Sequence, residues 1–223
     1  MNRCAAGMVI FLLTSSAIAQ TATQTSAGSS AAIPAAMQKF VDSGEISGAV
    51  TLVGRNGKVV HLEAVGYADI ASSRPMRKGT LFSIASMTKP IVATGVMILQ
   101  DEGKLSFDDK VSKYLPAFAD VKLSSGESPA REITIRDCVT HTAGLTGQQI
   151  FQGSLEHAVN ELAQRPVAFS PGEKWQYSPG LNVAGRIVEI VAQQPLDEFL
   201  KQRIFEPLSL SLIHISEPTR LKT

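Results

Sequence analysis

The chain has 223 residues, a formal net charge of +1 and an apolar fraction of 44%. This length and composition suit a globular chain with a hydrophobic core of its own. The near-neutral charge excludes the strongly basic surface that would attract nucleic acid or an acidic lipid surface. We therefore expect no nucleic-acid partner.

The first residues have the pattern of a secretory signal peptide. Arg3 precedes an apolar run at residues 8–13, and small residues at 17–19 resemble a cleavage site. The apolar run is too short to span a bilayer readily, so we predict export of the chain rather than a stable membrane span. We assign residues 1–19 to the signal peptide and residues 20–32, which are polar and uncharged, to a flexible leader.

Cysteine content indicates the compartment. Cleavage after residue 19 would leave Cys138 as the one cysteine of the chain, which excludes an intrachain disulfide. Its helical surroundings favour a small core residue. Export without disulfides is typical of a bacterial periplasm, so we predict a periplasmic or secreted protein.

The segment after the leader predicts a helix and then a hairpin. Apolar residues recur at helical spacing through residues 33–45. Two β-rich runs, 48–53 and 58–65, flank the pair Asn56-Gly57, a strong signal for a tight hairpin turn. Residues 66–69 lead into a predicted polar loop that ends near residue 80.

The rest of the chain predicts helices. The predicted segments are 86–102 ended by Gly103, 108–116 capped by Asp108, 133–141 capped by Thr134, 154–165, 181–194 and 196–204. Two strands followed by many helices predict an α/β part plus an all-α part, in which a helical subdomain accompanies an antiparallel sheet. The sheet has too few strands to be stable by itself.

Ser86 and Lys89 lie three residues apart at the start of the first of these helices, so one turn stacks them on one face. Pro90 is tolerated only in a first turn, which places the helix start close to Ser86. A neutral Lys89 amine could take the hydroxyl proton of Ser86 if burial lowered its pKa towards 7. The alternative from spacing alone is that Ser86 caps the helix and Lys89 is a solvated cation.

Tyr177 follows a Pro-Gly turn about ninety residues after Ser86. A phenol beside a lysine can act as a base towards a serine and then as an acid towards the leaving group. A tyrosine in such a position can equally be a half-buried packing residue. The residue type and position of Tyr177 alone do not decide between these two interpretations.

Several motifs taken together resemble one family. The matching segments are residues 81–89, 103–111, 133–137, 140–145, 171–178, 197–200 and 204–208. In this combination the chain resembles serine β-lactamases and penicillin-binding D-alanyl-D-alanine carboxypeptidases, most closely the class C-like branch that includes the family VIII esterases. The resemblance runs over residues 33–209, which we predict to form the N-terminal portion of the serine β-lactamase / DD-peptidase-like fold.

The resemblance implies a serine hydrolase that works through an acyl-enzyme on an ester or amide, such as a β-lactam or a D-alanyl peptide. Ser86 would be the nucleophile, Lys89 its activator and Tyr177 the proton shuttle. The Ser86 backbone N–H would supply half of an oxyanion hole. The implied partner is a small-molecule or peptidoglycan-derived substrate, and no metal or organic cofactor is expected. The alternative is a non-catalytic relative that binds peptidoglycan or a partner protein.

Two departures from the family pattern concern the choice of substrate and the oxyanion hole. The tyrosine motif of β-lactamases is commonly Tyr-x-Asn, whereas Pro179 stands at the third position of this motif. Asn182 is a weak substitute for substrate binding because its register differs. The family's third motif contains a glycine and lies well beyond the tyrosine, but Gly185 is the last glycine of this chain. The first departure favours an esterase or peptidase-like protein over a β-lactamase. The second implies that the strand expected to supply the second oxyanion donor is missing from this chain.

Other catalytic motifs are missing from the sequence. His61, His157 and His214 have no partners at metal-ligand spacing, and no Gly-x-Ser-x-Gly elbow is present. His141 lies in a Thr-His-Thr-x-Gly-Leu turn that resembles a structural corner of the family. We therefore expect a packing role for His141.

We interpret the C-terminal segment as sequence that does not belong to the natural protein. Residues 210–220 match the string that a transposon-type sequencing adapter encodes in one reading frame. We assign residues 210–223 to adapter sequence, with a natural tail of the same residues as the alternative. On that assignment the domain at 33–209 is truncated, and we expect this chain to be inactive and its sheet edge to be prone to aggregation.

Overall fold

The computed structural model describes residues 28–147 and 153–210. The predicted signal peptide, residues 20–27 of the predicted leader and residues 211–223 of the predicted adapter segment lie outside the described residues. The chain divides into two compact units, with the boundary between Ser83 and Ile84. Each unit is considered separately below.

The first unit contains a helix and an antiparallel sheet. Helix α1 spans Gly28–Asp42, and strands β1 (Gly48–Arg55), β2 (Lys58–Asp69) and β3 (Arg74–Pro75) follow it. The strand order is β1-β2-β3. Strands β1 and β2 pair antiparallel from Gly48 opposite Gly66 to Arg55 opposite Lys58, with a register shift after Val53.

The hairpin prediction is confirmed. Asn56 and Gly57, with φ values of 50° and 71°, form the turn between β1 and β2. Positive φ at both turn positions matches the right-handed twist of the flanking strands, and the Asn-Gly pair adopts it at little cost.

Two boundaries in the first unit were wrong. Helix α1 begins at Gly28 rather than at residue 33, so the last residues of the predicted leader are helical. Ala31 and Ala32 have the highest helix propensity of any residue type, which favours a helix that begins ahead of residue 33. Strand β2 continues to Asp69 rather than ending at residue 65, and it pairs with β3, which lies inside the predicted loop.

The second unit is helical, as the sequence predicted. Its helices are α2 (Thr88–Asp101), α3 (Ile135–Thr140), α4 (Leu155–Ala163), α5 (Gly180–Ala192) and α6 (Leu196–Leu200). Gly103 follows α2 with a φ of 69°, the left-handed conformation that ends helices. Thr134 caps α3 and Ser154 caps α4 through their hydroxyl oxygens.

The predicted helix at 108–116 is wrong. A single helical turn of the 3-10 type spans Val111–Lys113, and another spans Pro116–Phe118. The Asp109 carboxylate accepts hydrogen bonds from the Ser106 backbone N–H at 2.9 Å and the Tyr114 hydroxyl at 2.6 Å. Such local side-chain bonds compete with a regular helix, and Pro116 prevents its continuation.

The predicted helix at 196–204 is confirmed only in its first part. Helix α6 ends at Leu200, and the π-helical turn Lys201–Phe205 replaces its last turn. This wider turn still buries Ile204 and Phe205.

The hydrophobic core lies within the second unit. Helices α2, α5 and α6 supply its centre with side chains that are almost fully buried: Val96, Leu99, Val183, Ile187, Phe199 and Leu200. Cys138, on α3, is fully buried in the same core, as the sequence predicted for a lone cysteine. The core holds α2 and the chain before α5 in fixed positions, and both carry residues of the candidate site.

Candidate active site

Ser86 lies where a short turn passes into a long helix. The 3-10 turn Ala85–Met87 leads directly into α2, which begins at Thr88. Pro90 falls in the first turn of α2, as the proline rule predicted. The buried face of α2 anchors this helix in the core, so the position of its exposed N-terminal end is well defined.

The backbone directly before Ser86 is in an unfavourable conformation. Ala85 has a φ of 43°, and left-handed conformations are uncommon for residues with a Cβ other than Asn and Asp. The first N–H groups of a helical turn have no intrahelical acceptor. Accordingly, no acceptor for the Ser86 backbone N–H is present in the parts of the chain that the structure describes. This donor is available to a developing oxyanion.

Two predicted residues converge on the Ser86 hydroxyl. The Lys89 Nζ atom donates to Ser86 Oγ at 3.3 Å, and the Tyr177 hydroxyl donates to the same oxygen at 2.5 Å. The Lys89 Nζ atom also lies 5.0 Å from the centroid of the Tyr177 ring. A serine hydroxyl is thus in contact with two groups that can exchange protons with it.

The loop that carries Tyr177 is fixed on both sides. Ser178 is almost fully buried, with 1% of its surface exposed. Gly180 then begins α5 against α3, so close that a Cβ at this position would overlap the carbonyl oxygen of Cys138. Packing of α5 into the core therefore determines where Tyr177 lies, although this tyrosine is itself exposed.

A row of aromatic rings continues from Tyr177. The His141 ring lies 4.7 Å from the Tyr177 ring, centroid to centroid, and 6.0 Å from the Trp175 ring in an edge-to-face arrangement. Trp175 is 67% exposed. His141 ends α3 in the left-handed conformation, with a φ of 62°.

Helix α3 is held in place by a buried carboxylate. Asp137 and Thr134 form a capping box, and the Arg131 guanidinium donates two hydrogen bonds to the Asp137 carboxylate at 2.5 and 2.8 Å. Burial by itself would raise the pKa of Asp137, but the bonds from Arg131 and Thr134 outweigh it and hold the pKa below its ordinary value. Asp137 therefore stays ionised and fixes the helix that ends at His141.

Asn182 is not joined to the other predicted residues. No hydrogen bond connects Asn182 to Ser86, Lys89 or Tyr177 in the described ranges, and its side-chain nitrogen is buried without a partner. Its backbone N–H bonds to the Pro179 carbonyl at 2.9 Å in the first turn of α5. A substrate-binding role for Asn182 stays a prediction.

The described residues meet the requirements neither of a membrane-spanning helix nor of a metal site. Over residues 28–147 and 153–210, no helix has the length and apolar character to cross a membrane. The same residues contain no cluster of His, Cys, Asp or Glu side chains arranged to bind a metal ion. His61 bonds to the Thr51 hydroxyl at 2.7 Å and His157 lies 3.4 Å from Glu161, whereas His214 is outside the described residues.

The arrangement suits proton transfer to and from a nucleophilic serine. Sequence reasoning missed two features that surround it, the strained Ala85 and the contact of His141 with Tyr177. Nothing in the residue type of Ala85 indicates a positive φ. A histidine that closes a helix before a glycine turn is a weak signal, and it could have indicated His141.

Comparisons with known proteins agree with this geometry. The Beta-lactamase family profile matches residues 33–221. Esterase EstB of Burkholderia gladioli is 34% identical over 218 residues, which cover 89% of this chain and 55% of EstB. Lovastatin esterase of Penicillium rubens is 31% identical over 199 residues, covering 78% of this chain and 50% of that enzyme.

A solved structure extends the likeness to the fold. The structure of EstCE1, a hydrolase with promiscuous acyltransferase activity, superposes with a TM-score of 0.73 at 32% identity, covering 79% of this chain and 50% of EstCE1. The chain thus spans about half the length of the relatives it matches. Its homologues of this fold are serine hydrolases, among them esterases and amidases. On the family match and these identities, the chain belongs to the Beta-lactamase family.

Proposed function

We propose that this chain carries the nucleophile region of a serine hydrolase that cleaves esters or amides through an acyl-enzyme. The observation that supports it is the convergence of Lys89 Nζ and the Tyr177 hydroxyl on Ser86 Oγ, at 3.3 and 2.5 Å. Because the chain spans about half the length of its relatives, the activity is proposed for a longer gene product that contains it.

Attack by Ser86 requires that either Lys89 or Tyr177 be deprotonated, since both donate to Ser86 Oγ in the resting site. The deprotonated group takes the hydroxyl proton while Oγ bonds to the substrate carbonyl carbon. The backbone N–H of Ser86 stabilises the resulting oxyanion. Tyr177 then gives a proton to the leaving oxygen or nitrogen as its bond to the carbonyl carbon breaks.

Hydrolysis of the acyl-enzyme reverses these roles. Water attacks the ester carbon of acylated Ser86 and gives its proton to Tyr177, which lost one to the leaving group. Collapse of the tetrahedral intermediate breaks the bond to Oγ, and the proton returns to Ser86. One water is consumed, and the acid and the alcohol or amine are released, so the site ends in its starting state.

The substrate class we propose is an ester or a peptidoglycan-like amide rather than a β-lactam. Pro179 has no side-chain donor at the position where the resemblance implies an asparagine amide, so one contact to a β-lactam would be lost. The name of esterase EstB, at 34% identity, supports the same direction. We also propose export, because residues 1–19 have a signal-peptide pattern.

Hydrolysis of a short-chain p-nitrophenyl ester tests the proposal. In the longer gene product, we expect Ser86→Ala to lower the rate by about 10⁴-fold or more, because no other hydroxyl replaces the nucleophile. Ser83→Ala is the matched control, since Ser83 is an exposed serine three residues earlier, and it should leave the rate unchanged. Equal rates for wild type and Ser86→Ala would refute the assignment of the nucleophile.

The 223-residue chain serves as the second sample. The resemblance implies that a later strand supplies a second oxyanion donor, and loss of one such donor costs about 10²–10³-fold in rate. We therefore propose that the chain by itself is nearly inactive. Comparable rates from the chain and the longer product would contradict this part of the proposal and leave the role of Ser86 intact.

A further inference from the structure

His141 holds the Tyr177 loop on both sides of the tyrosine. The His141 carbonyl oxygen accepts a hydrogen bond from the Gln176 backbone N–H at 2.9 Å. The His141 Nδ1 atom accepts one from the Ser178 backbone N–H at 3.1 Å. Between these two bonds, the imidazole packs on the Tyr177 ring at 4.7 Å and an interplanar angle of 38°. The residues before and after Tyr177 are thus both tied to one histidine.

The position of His141 itself is well defined. It ends α3 in a left-handed conformation, and α3 is fixed by the capping box and by the ion pair of Asp137 with Arg131. A histidine required only to end a helix would need no side-chain contact. The imidazole contacts therefore call for an explanation beyond the helix end.

The hydrogen bond from Ser178 determines the protonation state of the ring. Because Nδ1 accepts a hydrogen bond from the Ser178 backbone N–H, the neutral imidazole carries its own proton on Nε2. Burial and the Lys89 ammonium both lower the pKa of His141 below its ordinary value. The titratable groups that face the ring from other elements are Lys89 on α2 and the Tyr177 phenol, and Asp137 on its own helix is paired with Arg131.

We propose that His141 is a positioning residue for the acyl transfer: its neutral, Nε2-protonated ring keeps the Tyr177 phenol on Ser86 Oγ, and its protonation releases the loop. This inference rests on the proposed function, in which Tyr177 exchanges protons with Ser86. Protonated His141 cannot accept the hydrogen bond of Ser178, so a buried backbone donor would lose its partner. It would also place a second cation near Lys89.

The sign of the pH effect follows from the lowered pKa of His141. The neutral form, which the folded loop prefers, predominates above the ordinary histidine pKa of about 6.5. As the pH falls below that value and through the lowered pKa of His141, the ring takes up a proton and the positioning of Tyr177 is lost. Acid therefore weakens the contact between Tyr177 and Ser86, and neutral pH restores it.

Two substitutions of His141 distinguish the effect of its aromatic ring from the effect of its hydrogen-bond acceptor, Nδ1. His141→Asn keeps a side-chain acceptor and tolerates the left-handed backbone, but it has no titrating group. His141→Phe keeps an aromatic ring on Tyr177 and leaves the Ser178 N–H without an acceptor. We expect Ser86 acylation by a fluorophosphonate to slow by about tenfold or more in His141→Phe, the usual effect of an unpaired buried donor, and by less in His141→Asn.

Tyrosine NMR gives a readout that does not require activity. The chain contains three tyrosines, so ¹³Cζ-tyrosine labelling yields three signals, and Tyr177→Phe assigns one of them. The wild-type 223-residue chain is titrated from neutral to acid pH while the His141 ring signals are recorded. The rate of Ser86 acylation is measured over the same range in the longer product.

The inference predicts that the Tyr177 signal moves with the midpoint of the His141 titration in the wild type, and that this step is absent in His141→Asn. It also predicts that the acylation rate of His141→Asn changes less with acid than that of the wild type. A Tyr177 signal that does not change over the His141 titration would overturn the inference. Acylation rates and pH profiles equal to those of the wild type in both His141 variants would overturn it too. Absence of Ser86 acylation in the longer product would refute the proposed function, and the NMR titration would still decide the role of His141.

Discussion

The two units of this chain differ in how far their apolar side chains are buried. In the described part of the first unit, His61 is buried but no apolar side chain is, and Leu52 in β1 and Val59 in β2 are 60% and 61% exposed. In the second unit, α5 alone contributes several side chains without exposed surface, including Val183 and Ile187. Burial of apolar surface is the main stabilising term in folding, so the helical unit has a core of its own and the described sheet does not.

This difference explains where the site can be built. A strained residue such as Ala85, and an exposed serine held by two polar side chains, need a scaffold that fixes them. The helical unit provides that scaffold through α2, α3 and α5, which place Ser86, His141 and Tyr177. Substitutions matched between the two units test this contrast.

A core truncation should have the largest effect. Ile187→Ala removes a side chain with 0% exposure from α5. It should lower the free energy of unfolding by about 2–5 kcal/mol, because it leaves a cavity in close-packed surroundings. Urea unfolding of the chain followed by circular dichroism measures this change.

Leu52→Ala in β1 is the matched control for the core truncation. Leu52 is 60% exposed, so its truncation should change the free energy of unfolding by less than about 0.5 kcal/mol. Equal losses of unfolding free energy in the two variants would show that apolar side chains of the sheet stabilise the chain as much as those of the helical unit. The difference between the two units would then not hold.

The buried carboxylate of α3 should have the next largest effect. Asp137→Asn breaks the paired hydrogen bonds to Arg131 and should cost about 1.5–3 kcal/mol of stability at pH 7, because bonds to a charged group are lost. Since the pKa of Asp137 is lowered in the folded state, this stability is present above about pH 3.9 and is lost as the pH falls through the folded value. The wild type and the variant should therefore converge in stability at acid pH.

Asp69 offers a comparison for this prediction in the first unit. The hydrogen bond from Ser72 lowers the pKa of Asp69 too, but Asp69 is the last residue of β2 and is less buried than Asp137. Asp69→Asn should change the stability less than Asp137→Asn does. The reverse order in thermal unfolding at pH 7 would contradict our account of α3.

Close packing at the start of α5 should have a moderate effect. Gly180→Ala places a Cβ on the carbonyl oxygen of Cys138 and should cost about 1–3 kcal/mol, the usual cost of overpacking. Gly54→Ala in β1 is the control, because its nearest neighbouring atom is 4.0 Å away. Gly180→Ala should also slow Ser86 acylation, since Gly180 fixes the Tyr177 loop. Unchanged stability of Gly180→Ala would show that α5 can move away from α3.

Surface charge on the sheet should have the smallest effect on stability and a clear effect on association. Val60, on β2, is 52% exposed among other exposed apolar residues. Val60→Lys should change the free energy of unfolding by less than about 0.5 kcal/mol, yet it should reduce self-association measured by light scattering. Met97→Lys replaces an equally exposed apolar residue on α2, and it should not reduce association. Equal behaviour of the two variants would contradict a sheet-specific effect.

Local signals predicted much of this molecule. Asn56-Gly57 defined the hairpin because both residues favour the positive φ of its turn. Pro90 indicated that a helix begins close to Ser86 and Lys89, since a proline is confined to a first helical turn, and α2 begins at Thr88. These features depend on residues close in sequence, for which propensity and periodicity are sufficient.

Features that depend on distant contacts could not be predicted. The segment at 108–116 bonds to residues far along the chain, since the Ile133 carbonyl oxygen accepts a hydrogen bond from the Val111 backbone N–H at 2.8 Å, and it does not form the predicted helix. Ala85 adopts a positive φ only because the surrounding fold imposes it. The contact of His141 with the Tyr177 loop joins residues far apart in sequence, and the place of His141 at a helix end is only a weak signal of it.

The central claim is that Ser86 is the acylated residue. The most direct measurement is mass spectrometry of the longer gene product, and of this chain, after reaction with a fluorophosphonate and with a fluorescent penicillin. We predict a single fluorophosphonate adduct on the peptide that contains Ser86, absent in Ser86→Ala and formed more slowly in Tyr177→Phe. An unmodified Ser86 in the longer product, or an adduct that persists on another residue in Ser86→Ala, would contradict the account.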